Sequence, residues 1–132
     1  MKYQIINVLK SYNYLSAILA FILWGAWAYL INIDSNNNFI SAFSQGVSSF
    51  IITLIMIKII EYFYNLFPKN RLFFLLPSII TVSITSSFVV GIHLIVNTQN
   101  ILFTVLPTVL IAFLFALYTT KKISTKIIKK EN

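Results

Sequence analysis

Every lysine and arginine of this chain falls on one side of the membrane that its own apolar segments define. Four apolar stretches divide the sequence, at about 14–33, 40–60, 72–96 and 101–120. Lys2 and Lys10 precede the first. Lys58 sits at the end of the second, with Lys69 and Arg71 beyond it, and Lys121, Lys122, Lys126, Lys129 and Lys130 follow the fourth. The connections at 34–38 and 97–100 hold no basic residue. Basic residues in short loops stay cytoplasmic. An all-α, antiparallel four-helix transmembrane bundle with cytoplasmic N and C termini therefore accounts for every one of them.

Segment length agrees. About 20 apolar residues at 1.5 Å each cross a hydrocarbon core of roughly 30 Å, and each stretch reaches that. Tyr3, Tyr12, Tyr14, Tyr62, Tyr64 and Tyr118 fall near the expected cytoplasmic interface, and Tyr29 alone near the other. Amphipathic rings favour that depth. Only 10% of the residues are charged, against about 25% in soluble domains, so residues 1–132 read as a single integral membrane domain. The net charge of +7 follows from topology and builds no basic groove, so no nucleic-acid partner is expected. Without cysteine there is no disulfide, thiolate nucleophile or thiolate metal site. Abundant Ile, Asn and Lys suit an AT-rich bacterial genome, hence a multi-pass protein of the bacterial cytoplasmic (inner) membrane. A rival reading takes residues 1–28 as a signal peptide ending at Ala26-Trp27-Ala28, although the hydrophobic run continues through Tyr29-Leu30-Ile31.

Along the chain, residues 1–13 form an interfacial lead-in to helix 1. The polar turn 34–38 offers side chains to cap helix 2. Helix 2 extends through 62–67 until Pro68 stops it, and 97–100 makes the second outer turn. Pro77 sits harmlessly in the first turns of helix 3. Pro107, about two turns into helix 4, removes a backbone hydrogen bond and is expected to kink it.

Small residues and hydroxyls let membrane helices approach closely, so their spacing marks packing faces. Thr104, Thr108, Ala112 and Ala116 share one stripe of helix 4. Ser83, Ser87 and Gly91 form a stripe on helix 3, with Ser78, Thr81 and Thr85 nearly opposite, so that helix 3 reads as central. Its lipid face would be Ile84, Phe88 and Ile95. Helix 2 presents Ser41, Ser44, Gln45, Ser48, Ser49 and Thr53 on one face, with Ala42 and Gly46 at its edge, and Phe43, Val47, Phe50 and Leu54 on the other. Helix 1 places Ser16, Ala17, Ala20, Trp24 and Trp27 on a common side.

The polar residues admit two readings each. Lys58 and Glu61 lie on the lipid side, where long charged side chains snorkel; the alternative is a functional ion pair. His93, Gln45, Ser48, Ser86 and Ser87 mark a possible polar seam between helices 2 and 3. His93 stands at a depth comparable to Asn32, Asp34, Gln45 and Asn97, which opens a proton relay or pH sensor beside the plainer reading of a hydrogen-bonded interfacial histidine. A metal needs at least three ligands, and only His93 and Asp34 qualify. Trp24, near mid-bilayer, is expected to fill space against small residues. The lysine-rich tail 121–132 suits anionic lipid at the cytoplasmic face, or serves only as a topological anchor.

Span count and size are similar to those of small multidrug-resistance transporters, but helix 1 has no acidic residue. GtrA-like proteins share the span count without a match to their glycine-containing motif, and holin-like proteins share only the size and the basic tail. No family follows. Paired carboxylates, nucleophile–base spacings, phosphate loops and metal motifs are all missing, so neither enzyme activity nor a cofactor is expected. Three functions remain. The leading one is a non-enzymatic accessory or interaction protein of the cell envelope, paired with itself or with another membrane protein. The others are a minimal homodimeric transporter or flippase and a holin-like pore former.

Overall fold

The fold is a computed structural model that describes the backbone of residues 2–67, 70 and 73–131 and the side chains of 13–67, 70 and 73–125. The side chains of Lys2, Tyr3, Lys10, Tyr12, Lys126, Lys129 and Lys130, together with Pro68, Lys69, Arg71 and Leu72, lie outside the described residues. Four helices account for the structure: α1 (Lys2–Ile31), α2 (Asn38–Leu66), α3 (Leu76–Ile95) and α4 (Ile101–Glu131), with no strand among the described residues. All four contain a stretch long and apolar enough to cross a membrane: Asn13–Ile31, Asn38–Leu66, Leu76–Ile95 and Ile101–Thr125.

The lead-in to helix 1 is itself helical, continuous with the first span. The second and fourth helices outrun their apolar stretches because turn chemistry ends a helix and charge does not. Lys58, Glu61, Lys121 and Lys122 all sit inside helix, and α2 stops only where Phe67 turns extended at φ −100°, ψ 150°. A residue preceding proline avoids the helical region. Pro77 occupies the opening turn of α3, where no helical N–H is lost. The end of α3 is a Schellman motif. Asn97 takes the left-handed conformation, φ 55°, the Thr98 N–H reaches back to the His93 carbonyl at 3.0 Å, and the Asn97 N–H to that of Leu94 at 3.3 Å.

One cap departs from expectation. Asn37 is the N-cap of α2 but makes no side-chain cap bond; its carboxamide instead donates to the Val96 carbonyl at 3.5 Å, linking the α1–α2 and α3–α4 turns. Ser41 N–H is met by the Asn37 backbone carbonyl at 2.9 Å.

α1 packs chiefly on α2, while α3 packs on both α2 and α4. Glycine permits the first contact. A Cβ on Gly25 would lie 3.2 Å from the Ala42 carbonyl oxygen, and one on Gly46 would lie 3.0 Å from both the ring and the carbonyl oxygen of Phe21. Between α2, α3 and α4, Met56, Ile60, Val82 and Ala116 form an apolar core backed by Ile52, Val109 and Phe113. Large apolar side chains such as Leu19, Leu23, Phe43, Leu110 and Leu114 face outward, as lipid-facing residues do. Ile84, Phe88 and Ile95 join them.

α3 is buried on one broad face rather than two. Ser78, Thr81, Val82, Thr85, Val89 and His93 are buried, whereas Ser83 and Ser87 are exposed and a Cβ on Gly91 would meet nothing within 4 Å. The hydroxyls on this outer face need no partner helix, because Ser87 bonds the Ser83 carbonyl at 2.7 Å and Ser86 bonds it at 3.2 Å. The α4 stripe does pack: Thr104 and Ala116 are fully buried, Thr108 and Ala112 half-buried.

Pro107 lies inside α4 and leaves the Phe103 carbonyl, one turn earlier, without its helical donor. The Trp27 indole N–H fills that vacancy at 3.1 Å. A missing helical hydrogen bond is thereby turned into a link between α1 and α4.

Glycine positions give a direct test of this packing. Gly46→Ala should destabilise the chain in detergent by about 1–3 kcal/mol through overpacking. Gly91→Ala should be neutral or slightly stabilising, since alanine is the better helix former. Denaturant titration followed by circular dichroism measures both.

Candidate functional site: a buried hydrogen-bonded network and an adjoining cavity

Polar side chains inside a bilayer must find partners within the protein, and among the described residues this chain gathers half of its buried ones near one end of the bundle, while Ser78 Oγ and Thr120 Oγ1 pair at 2.8 Å towards the other. Asn32, one residue past α1, is buried. Its amide donates to the Ala28 carbonyl at 2.9 Å and to Thr104 Oγ1 at 2.8 Å, and its oxygen accepts the Asn100 backbone N–H at 3.0 Å. Thr104 in turn donates to the Asn100 carbonyl at 2.7 Å, and the Asn100 carboxamide donates to the Ile31 carbonyl at 3.1 Å. The end of α1 is thus clasped to the start of α4.

The second cluster centres on His93, which is fully buried, as are Ser41 and Gln45. Its Nε2 lies 2.6 Å from Gln45 Oε1 and its Nδ1 2.7 Å from Thr98 Oγ1. Thr98 Oγ1 also meets Ser41 Oγ at 2.7 Å, and Gln45 Nε2 donates to Thr108 Oγ1 at 3.0 Å. A carboxamide oxygen only accepts, so Nε2 carries a proton. For a neutral imidazole the order is then fixed. Ser41 donates to Thr98, Thr98 to Nδ1, Nε2–H to Gln45, and Gln45 to Thr108. Four hydrogen bonds in one direction join α2, the α3–α4 turn, α3 and α4.

Of the seam read from sequence, His93 and Gln45 meet; the serines do not join them. Ser48 is buried but donates to the Ser44 carbonyl at 2.7 Å. Ser86 is half-buried and bonded within α3, and Ser87 is exposed. Asp34, the possible acidic partner of His93, is exposed too, and no group of three potential metal-ligating residues occurs among the described residues. Lys58 and Glu61 are both exposed. Thr98 was not anticipated, since in sequence it is one residue of a polar turn. The signal that finds it is Asn97: a left-handed residue there returns the next residue onto His93. Thr104 and Thr108, read from sequence as part of a helix-packing stripe, also supply hydroxyls, Thr104 to the Asn32 cluster and Thr108 to the His93 cluster.

Beyond the network lies a half-open cleft of about 260 Å³ lined by all four helices, among them Trp24 of α1, Ser49 of α2, Thr85 of α3 and Ala112 and Phe115 of α4. It exists because α1 leans on α2 and its hydrogen bonds to α4 lie near the α1–α2 and α3–α4 turns (Trp27, Asn32), so the two helices stay apart further along. Ser49, on this wall, has its Oγ buried without a hydrogen-bond partner among the described residues, and the same is true of Thr81 Oγ1 on α3.

No protein-family model, curated protein or solved structure matches this chain.

A double-mutant cycle tests the network. His93→Phe and Gln45→Leu should each destabilise by about 1–3 kcal/mol, because each strands a buried partner. The double variant should fall short of their sum by about 1 kcal/mol, within the range measured for membrane hydrogen bonds. Strict additivity contradicts the contact.

Proposed function

We propose that this chain is an antiparallel four-span protein of the bacterial cytoplasmic membrane, with both termini at the cytoplasmic face. In this reading it works without chemistry of its own, as an accessory or interaction protein of the cell envelope. The observation that carries the reading is the use made of the polar side chains. Both nitrogens of His93 are engaged, at 2.6 and 2.7 Å, and Asn32 uses both amide donors and its oxygen. Groups so committed hold helices together and are not free to act as base, nucleophile or ligand. The fully lysine and arginine-bearing inner side supports the orientation, and the tail lysines Lys121 and Lys122, exposed at the end of α4, suit anionic headgroups.

A second reading, a minimal homodimeric transporter or flippase, draws on the cavity. Its weakness is the dispersal of the serines: Ser87 faces outward and Ser48 is turned into its own helix, so they do not line a common path with His93.

Because the chain has no cysteine, single-cysteine variants report topology cleanly. Asn36→Cys and Gln99→Cys should react with a membrane-impermeant thiol reagent in intact cells, and Asn70→Cys only after permeabilisation. The opposite pattern overturns the orientation. Native mass spectrometry of gently released protein addresses the role. A defined complex with another membrane protein supports the accessory reading. A homodimer that retains a solute supports transport, and a bare monomer overturns both.

A further inference from the structure

We propose that the outward face of α2 is a two-fold interface on which a second copy of this chain docks, Lys58 of each copy pairing with Glu61 of the other. This rests on the four-span reading and not on the accessory role.

Position defines the face. At 3.6 residues per turn, Lys58 and Glu61 stand about 60° apart around α2 and about 4.5 Å apart along it. Ile40, Phe43, Val47 and Leu54 fall within the arc between them. Ile40 and Phe43 are more than half exposed, Val47 and Leu54 half-buried. The opposite side of α2 carries Gln45, Ser49, Met56 and Ile60 into the bundle. Phe21 of α1 braces Phe43 edge-to-face, with ring centroids 6.1 Å apart, so the face is held in place from behind.

Lipid covers an apolar strip, but it does not satisfy the two charges. Glu61 is the one acidic residue inside an apolar span, since Asp34 and Glu131 lie outside all four. Among the described residues neither Lys58 nor Glu61 has an ion-pair partner. Snorkelling takes a charge to the end of an apolar run, whereas here exposed apolar side chains stand on both sides of the pair, Ile55 before it and Leu66 after it. Lys58 lies about 30 Å along α2 from Asn38, at the edge of the hydrocarbon core. Water is thin there, and opposite charges attract more strongly than in solution.

Symmetry makes the face self-complementary. Copies inserted in the same direction are related by an axis along the membrane normal, which sets the two α2 helices parallel at equal depth. An axis through the middle of the arc places each Lys58 opposite the partner's Glu61, and one contact generates the other. The flexible four-carbon stem of lysine spans the offset. An unrelated partner needs a matching pair of charges at this depth; a second copy supplies it by construction.

The test uses the full chain, which has no cysteine of its own, in phosphatidylcholine vesicles. Copies are labelled at Asn36→Cys with either a donor or an acceptor dye. Energy transfer between wild-type copies should exceed random mixing and saturate with protein density. Lys58→Glu leaves two acids on each face and Glu61→Lys two bases, so each alone should associate about tenfold more weakly. Donor-labelled Lys58→Glu mixed with acceptor-labelled Glu61→Lys should recover wild-type transfer, because every contact again joins opposite charges. An ion pair closed within one helix predicts no such recovery. Circular dichroism shows that each variant is helical. Random-mixing transfer in the wild type overturns the proposal, as do single variants that associate like wild type or a mixture no stronger than its components. A second measurement leaves the charges untouched. Oxidation in the membrane should link Leu54→Cys copies to each other and leave Leu114→Cys, exposed on α4, unlinked. Equal crosslinking of the two overturns the proposal, and so does a Leu54→Cys that links to a different protein and never to itself. Failure of the four-span reading shows separately, as Asn36→Cys and Asn70→Cys labelled from the same side.

Discussion

The contact between His93 Nε2 and Gln45 Oε1, at 2.6 Å, is the one on which the end of the bundle formed by the α1–α2 and α3–α4 turns depends. In hydrocarbon there is no water to substitute for a missing partner, so a buried imidazole and carboxamide must be satisfied together or not at all. Once they pair, the remaining polar groups follow. Gln45 directs its amide to Thr108 on α4, and His93 directs its other nitrogen to Thr98, which the Schellman turn has already folded back. The rotation of α2, α3 and α4 about their axes is then fixed by directional bonds, which apolar packing alone specifies less sharply.

The same economy appears where α4 is weakened. Pro107 removes a donor, and the carbonyl it abandons is taken up by Trp27. With Asn32 bonded to Thr104 and Asn100, α1 is tied to α4 close to the α1–α2 and α3–α4 turns. Further in, α1 leans on α2 through Gly25 and Gly46. α1 is held to α4 at one end of the bundle and leaves a half-open cleft beyond it. Binding sites in bundles arise in such places, where helices diverge around side chains that are rigid on either side.

Much of the fold was legible because the bilayer imposes it. Four apolar runs of sufficient length give four helices, and the i, i+4 spacing of Thr104, Thr108, Ala112 and Ala116 marks a face that is in fact buried. The inference failed where a hydroxyl had two ways to be satisfied. Ser83 and Ser87 have the spacing of a packing stripe, yet Ser87 bonds its own helix and both face outward. Asn37 looked like a capping residue and bridges the two turns instead. His93 and Gln45 were identified by depth and polarity, but Thr98 came to them through a backbone conformation at Asn97 that residue types only suggest. The cavity had no sequence signal, since it results from the angle between α1 and α4.

The most direct test of this account is nitrogen-15 NMR of the histidine side chain in lipid bilayers, with the glutamine carboxamide labelled as well. His93 is the chain's single histidine, so its ring gives one assignable set of signals. The account predicts a proton on Nε2, protected from exchange and close to the Gln45 side chain, with Nδ1 accepting from a hydroxyl. A ring that exchanges freely with water and shows no proximity to Gln45 would contradict it.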